Sequence, residues 1–189
     1  MGKSSWESKI SGWQADWRPA TEQLSRHADE LTSLVGTRLS GAWSIWTGEG
    51  IDDWFADMPV VLEFDGRRRL EVCWQKFDDL SISWNTIDLE LPPRAWVDGS
   101  AWYQWRHAAF SANQGATVTE VAGTTFQWTT MDVDYPHRKP STIRLTGGLW
   151  IGTTGPGLHI FNALDENGLA QGHHEPDERL SLAEIKTLP

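Results

Sequence analysis

The sequence has a single cysteine, Cys73, in 189 residues. No intramolecular disulfide can form. The position of Cys73 between Val72 and Trp74, inside an alternating run, reads as a buried and inert thiol. No apolar run approaches the roughly 20 residues a membrane-spanning helix needs, and the N-terminus lacks the apolar core of a secretion signal. A cytoplasmic protein with no membrane contact is expected. Basic residues are also scarce: 16 Lys and Arg stand against 26 Asp and Glu, for a net charge of −10. Nucleic-acid affinity comes largely from Lys and Arg contacting phosphates, so direct nucleic-acid binding is not expected. The chain has no GxxxxGK, no GxGxxG after a strand and no GxSxG elbow, and it gives no reason to expect a cofactor.

Tryptophan, in contrast, is abundant, with 13 residues. Each carries a large apolar area, so many must be buried, and any that are exposed are candidate anchors for a partner. Trp6, Ile10, Trp13 and Trp17 recur at helical spacing, and Ser4 with Glu7 makes a capping box. A short amphipathic helix is predicted over residues 4–17. Its stripe could pack on the core or, through Trp6, Ile10 and Trp13, mediate self-association. Pro19 opens a second predicted helix over 19–34, with Leu24, Ala28, Leu31 and Leu34 on one face and Gly36 as the stop.

From Arg38 the period changes to two. Strands are predicted at 39–46, 60–64, 70–74 and 80–87, a weaker one at 101–106, then at 117–121, 125–131, 142–145, 149–152 and 158–164, with a closing strand or short helix over 180–188. A helical turn is predicted at 108–113. Asp65-Gly66, Gly147-Gly148 and Asn167-Gly168 read as hairpin turns. An odd-length connection at 65–67 is preferred, because it sets Leu62 opposite Leu70 and Val60 opposite Val72, keeping apolar residues on one face.

The two halves echo each other. Leu34–Thr37 matches Val121–Thr124, Trp43-Ser44 matches Trp128-Thr129, Pro59–Gly66 matches Pro140–Gly147, and Trp84-Asn85 matches Phe161-Asn162. The expected fold is mainly β (α+β): an antiparallel sheet or barrel-like sandwich of two similar β-meander halves behind an N-terminal helical segment. Its parts fall at 1–37, 38–92 and 93–189, and the halves share one core. This organisation, rather than any motif, resembles that of small β-rich bacterial immunity proteins.

Candidate chemistry is thin. Asp88 and Asp165 stand at matching places and could pair as acid and base in a hydrolase-type enzyme. Asn85 and Asn162 are better read as structural, each capping a strand end through backbone groups. His173 and His174 are metal-ligand types, but neighbours on an extended chain point apart. Neither they nor Asp132, Asp134 and His137 have the spacing of a zinc site. Charge layout says more. Between Arg38 and Arg67 there is no Lys or Arg, yet Glu49, Asp52, Asp53 and Asp57 surround Trp54 and Phe55. Aromatics ringed by acid suggest a surface loop that binds a basic protein, with Asp52, Asp53, Trp54, Phe55 and Asp57 as contacts. The expected function is a non-catalytic protein-binding module, of which an immunity or antitoxin-like inhibitor is one form. The alternatives are a small-molecule binder with a Trp-lined pocket and the Asp88/Asp165 enzyme.

Overall fold

The computed structural model describes residues 9–48, 54–94, 99–130, 139, 141–163, 165–172 and 180–183. Alternation of apolar side chains builds two antiparallel sheets. The first holds β1 (Trp17–Pro19), β2 (Leu39–Trp46), β3 (Val60–Phe64), β4 (Arg68–Gln75), β5 (Asp79–Trp84) and β6 (Ala101–Gln104), in the order β1-β5-β4-β3-β2-β6. The second holds β7 (Val118–Thr130), β8 (Ser141–Thr153), β9 (Leu158–Asn162), β10 (Asn167–Gln171) and β11 (Leu180–Ala183), in the order β10-β9-β8-β7-β11. Val60, Leu62, Phe64, Leu70, Val72, Trp74, Leu80 and Ile82 of the first sheet share one core with Leu149, Ile151, Leu158 and Ile160 of the second. The mainly β, antiparallel architecture is therefore as expected.

The β3–β4 hairpin reconciles two sequence signals. Asp65 and Gly66 both take positive φ, and the Arg67 N–H donates to the Phe64 carbonyl at 3.1 Å, so the two-residue turn forms. Arg67 is then an extra residue, and it restores the pairing of Leu62 with Leu70 and of Val60 with Val72.

The helix expected over 19–34 forms as α1 (Ala20–Arg26) and α2 (Ala28–Thr32), interrupted at His27. Its predicted face is intact, since Leu24, Ala28, Leu31 and Leu34 are all buried. The helix expected over 4–17 does not form in its described part. Trp17 belongs to β1, and residues 10–16 run as an irregular strap over the outer face of the first sheet. Gly12 is the local reason. It sits at φ +78°, and a Cβ there would lie 2.2 Å from the Thr86 carbonyl oxygen. The strap is tied to a second one, with Asp88 N–H donating to Ser11 O (2.9 Å) and Arg94 N–H to Lys9 O (2.8 Å). Together they close an outer apolar layer of Ile10, Trp13, Ile45, Met58, Val61, Cys73 and Ile87.

Two expected hairpin turns also differ from expectation. Gly147-Gly148 is no turn, because β8 runs straight through it. The pairing steps from Thr124 opposite Gly148 to Thr125 opposite Thr146, which leaves Gly147 as a bulge. Asn167-Gly168 starts β10, and the turn lies earlier, closed by Ala163 N–H to Glu166 O (2.9 Å) with Asp165 at φ +80°. The predicted strand at 80–87 stops at Trp84, where Asn85 turns the chain at φ +58°.

Both sheets contain a four-strand meander, β2 to β5 and β7 to β10. Asn85 follows the fourth strand of the first meander, but Asn162 ends the third strand of the second. The match of Trp84-Asn85 to Phe161-Asn162 thus joins non-equivalent strands. β6 falls within the part expected to be the second half, 93–189, yet it returns to the first sheet beside β2.

Candidate functional site: an aromatic corner at the end of β2

Trp46 ends β2 and is flanked on both sides. It pairs with Ala101 of β6 and, through an isolated bridge, with Trp54. The Phe55 N–H donates to Ile45 O at 2.9 Å, so Trp54 and Phe55 run beside the end of β2. After β6 the chain turns at Trp105, which takes φ +59° and donates its N–H to Ala42 O at 2.9 Å. That turn brings Arg106 back over Trp46. The guanidinium carbon lies 4.4 Å from the Trp46 ring centre and 4.6 Å from that of Tyr103, which is attractive to a cation from both faces.

His107 comes next and opens α3 (Ala108–Ser111). Its Nδ1 accepts from the Ala109 N–H at 3.2 Å, so the neutral ring carries its proton on Nε2. The ring meets Trp54 edge to face at 5.0 Å and lies 5.7 Å from Phe110. Burial lowers the His107 pKa below its ordinary value, so the imidazole is neutral at physiological pH. Helix α3 is held by Asn113, which donates to Ala109 O and Gly157 O (2.9 and 2.8 Å) and accepts from Thr153 Oγ1 and Gly157 N–H (2.7 and 2.9 Å). The result is a rigid aromatic corner of Trp46, Trp54, His107 and Phe110, with Tyr103 and Arg106 at its surface.

The structure corrects the expected orientation of Trp54 and Phe55. They do not stand out from the surface. Trp54 is half-buried against the main core, and its Nε1 is shut off from solvent with no hydrogen-bond partner among the described residues. Phe55 is half-buried against the outer layer. Two apolar layers lie within reach of this short segment, and each ring covers one of them. Asp57 is half-buried, and burial raises its carboxyl pKa. Asp52 and Asp53 lie outside the described residues, as do Trp6, His173, His174, Asp132, Asp134 and His137. Ile10 and Trp13 are buried under the strap, so their apolar surface is already used within the chain.

Asp88 and Asp165 are not brought together by any shared neighbour. Asp88 is exposed on the outer strap and accepts from its own Glu90 N–H at 3.0 Å. Asp165 sits in the β9–β10 turn, bridged to Lys76. Asn85 and Asn162 both bond backbone groups. Asn85 accepts from Arg69 N–H (2.9 Å). Asn162 donates to Lys76 O (2.6 Å) and accepts from Asp165 N–H (3.1 Å). Among the described residues, no group of His, Cys, Asp and Glu could hold a metal ion. Cys73 is buried, and desolvation raises its thiol pKa well above the ordinary range, as an inert thiol requires.

Sequence reasoning missed the most connected polar side chains. Asn167, buried in β10, donates to Ala56 O and Met58 O (2.9 and 2.8 Å) and accepts from Trp74 N–H (2.9 Å), tying the second sheet to the first. Its Asn-Gly signature pointed to a turn instead. Glu71 is buried and accepts from Ser83 Oγ (2.5 Å), Thr86 N–H (2.6 Å), Thr86 Oγ1 (2.5 Å) and Ile87 N–H (2.7 Å). Its place at an alternate position of β4 resembled an exposed one. Tyr103, Arg106 and His107 carried no local signal, since they meet Trp46 only because β6 returns to β2. No family model matches the chain, and no curated protein or solved structure is significantly similar to it.

Proposed function

We propose that the chain is a non-catalytic protein-binding module that contacts a basic partner at the aromatic corner, an immunity or antitoxin-like inhibitor being one concrete form. The observation that carries this reading is the surface stack in which Arg106 lies between Trp46 and Tyr103. Tyr103 is 38% exposed, and Arg and large aromatics held rigid by their neighbours are the residues from which binding hot spots are built. Trp54 and His107 take the role of a buttress behind that stack, in place of the anchor role expected for Trp54. The net charge of −10 steers a basic partner toward the protein. Asp88 and Asp165, each engaged with different neighbours, give the enzyme alternative no support.

A photo-cross-linking amino acid placed at position 103, compared with one at the more exposed Val35, tests the reading in a native extract. The expected result is a basic protein joined at position 103 only, with a yield that falls as salt rises. Equal labelling from both positions, or none from position 103, would overturn it. Once such a partner is in hand, Tyr103→Ala should raise its Kd about tenfold or more, a loss of at least 1.4 kcal/mol. The same change should leave the melting temperature of the free protein unaltered.

A further inference from the structure

We infer that His27 is a proton-operated latch between α2 and β5: neutral, it holds the Trp84 indole; charged, it releases Trp84 and takes the Glu30 carboxylate. The latch needs no partner, so it stands apart from the protein-binding reading above. One nitrogen serves both states. His27 Nδ1 lies 3.2 Å from Trp84 Nε1 and 3.5 Å from a Glu30 carboxylate oxygen. An indole N–H only donates, so the bond to Trp84 needs Nδ1 without a proton. An ionised carboxylate only accepts, so a bond to Glu30 needs Nδ1 with one. The two bonds exclude each other, and a single proton chooses between them.

His27 is also the joint of the two helices. It ends α1 and starts α2 at φ −103° and ψ 14°, in the sparsely populated region between helix and strand. Its N–H bonds Gln23 O (3.2 Å) behind it, and its carbonyl accepts from the Leu31 N–H (2.8 Å) ahead of it. Beyond the joint, Arg68 of β4 donates to Ser33 Oγ (2.9 Å) and to Glu30 O (3.4 Å). The Arg68 guanidinium carbon lies 5.2 Å from the centre of the Trp84 ring. Trp84 is thus shared by His27 and Arg68, which both tie α2 to the first sheet. Leu31 and Leu34 stay buried under either partner of His27, so release of Trp84 loosens α2 without unfolding the core.

The His27 side chain is 18% exposed, so a proton reaches the ring without prior unfolding. Burial is the largest influence on the ring and lowers its pKa. Glu30 from α2 favours the charged form, Arg26 from α1 opposes it, and Asp16 from the strap favours it. Arg68 from β4 adds a like charge across Trp84. The sum keeps the pKa below its ordinary value, so the latch is closed at neutral pH and opens as the pH falls through the folded value. His107 lacks this second state. Its Nδ1 bonds the Ala109 N–H, and it forms no ion pair among the described residues.

Nuclear magnetic resonance of the full chain between about pH 8 and pH 5 tests the latch, in the range where histidine titrates. The Trp84 indole N–H signal, identified by its loss in Trp84→Phe, should shift in step with the His27 ring. Amide exchange should quicken in residues 28–34 while β3 and β4 stay protected. His27→Gln should remove the response of Trp84. Two further variants, followed on the His27 ring itself, should move its midpoint in opposite directions. Glu30→Gln removes the acceptor that awaits the charged ring, which lowers the midpoint. Trp84→Phe removes the donor that favours the neutral ring, which raises it. Each shift should reach about 0.5 pH unit, roughly a threefold change in proton affinity. Glu30 is exposed, so its variant decides the matter even where Trp84→Phe does not fold. An unmoved midpoint in Glu30→Gln, two shifts of the same sign, or a Trp84 signal that stays constant while His27 titrates would overturn the latch. Protection lost from β3 and β4 together with α2 would overturn it too, by making the acid response a global unfolding.

Discussion

At the scale of single residues, the buried polar side chains hold this fold in register more than its charges do. Asn167 is the clearest case. Removing its amide by Asn167→Ala takes their side-chain partner from the Met58 carbonyl and the Trp74 N–H at the seam between the sheets, while the Ala56 carbonyl keeps the Asn167 backbone N–H at 3.0 Å. An unsatisfied buried group costs about 1–3 kcal/mol, so a loss of at least that size is expected in a urea titration. Asn162→Ala, whose bonds lie at an exposed turn, should cost clearly less.

Two histidines give the protein a pH dependence. His27 Nδ1 accepts from the Trp84 indole N–H at 3.2 Å, which requires the unprotonated nitrogen, and burial lowers its pKa as it does that of His107. Glu30, 3.5 Å from the same nitrogen, favours the protonated form, but burial is the larger effect. Depressed folded pKa values mean that the unfolded chain binds protons first. Stability from these groups is therefore complete above about pH 6.5 and falls as the pH drops toward the folded values. Asp57 and Asp78 work in the opposite sense. Burial raises both, so the fold regains stability when they protonate as the pH falls toward their unfolded value of about 4. Denaturation midpoints between pH 7.5 and pH 5 should decline, and His27→Gln with His107→Asn should flatten that decline. An unchanged slope in the double variant would refute the assignment.

Among the elements, the β3–β4 hairpin was legible in the sequence, because alternation and turn chemistry agreed on one register. The strap over the outer face was not. Trp6, Ile10, Trp13 and Trp17 fit a helical stripe, and spacing alone does not reveal that Gly12 lies against the Thr86 carbonyl. Gly147-Gly148 misled for a related reason: a local doublet looks the same in a turn and in a bulge, and only the partner strand decides. The candidate site was half visible. Trp54 was singled out by its acidic surroundings, but its inward direction depends on layers assembled from distant segments.

Gly12→Ala tests the strap directly. The new methyl group would meet backbone that cannot yield, at a φ that L-residues avoid, so destabilisation by more than about 2 kcal/mol is expected. Gly36→Ala is the control. It shares a positive φ but faces open space, so only the backbone penalty of about 1 kcal/mol should appear. Equal losses for the two would show that the close approach to Thr86 carries no weight.

For the molecule as a whole, the shared core makes the halves interdependent. A fragment of residues 38–92 lacks β1, β6 and every second-sheet residue of the core, so it should show no cooperative melting, while the intact chain melts in a single step. An independently folded fragment would contradict this. Charge is arranged at the same scale. Arg38 at the start of β2 and Arg67, Arg68 and Arg69 at the β3–β4 turn mark one end of the first sheet, and the aromatic corner stands at the other end of β2.

The Asn167 seam also bears on biosynthesis. Trp74 N–H finds its acceptor 93 residues further along the chain. A ribosome has therefore made every strand of the first sheet long before the residue that closes it against the second sheet leaves the exit tunnel. At typical rates of roughly 5–20 residues per second, the finished first-sheet strands wait several seconds with the Trp74 N–H and the Ala56 and Met58 carbonyls uncovered. Throughout that interval the nascent chain offers other polypeptides a sticky surface that the completed protein largely conceals. Nascent chains stalled before residue 167 should accordingly depend on chaperones in a way that chains stalled well after it do not.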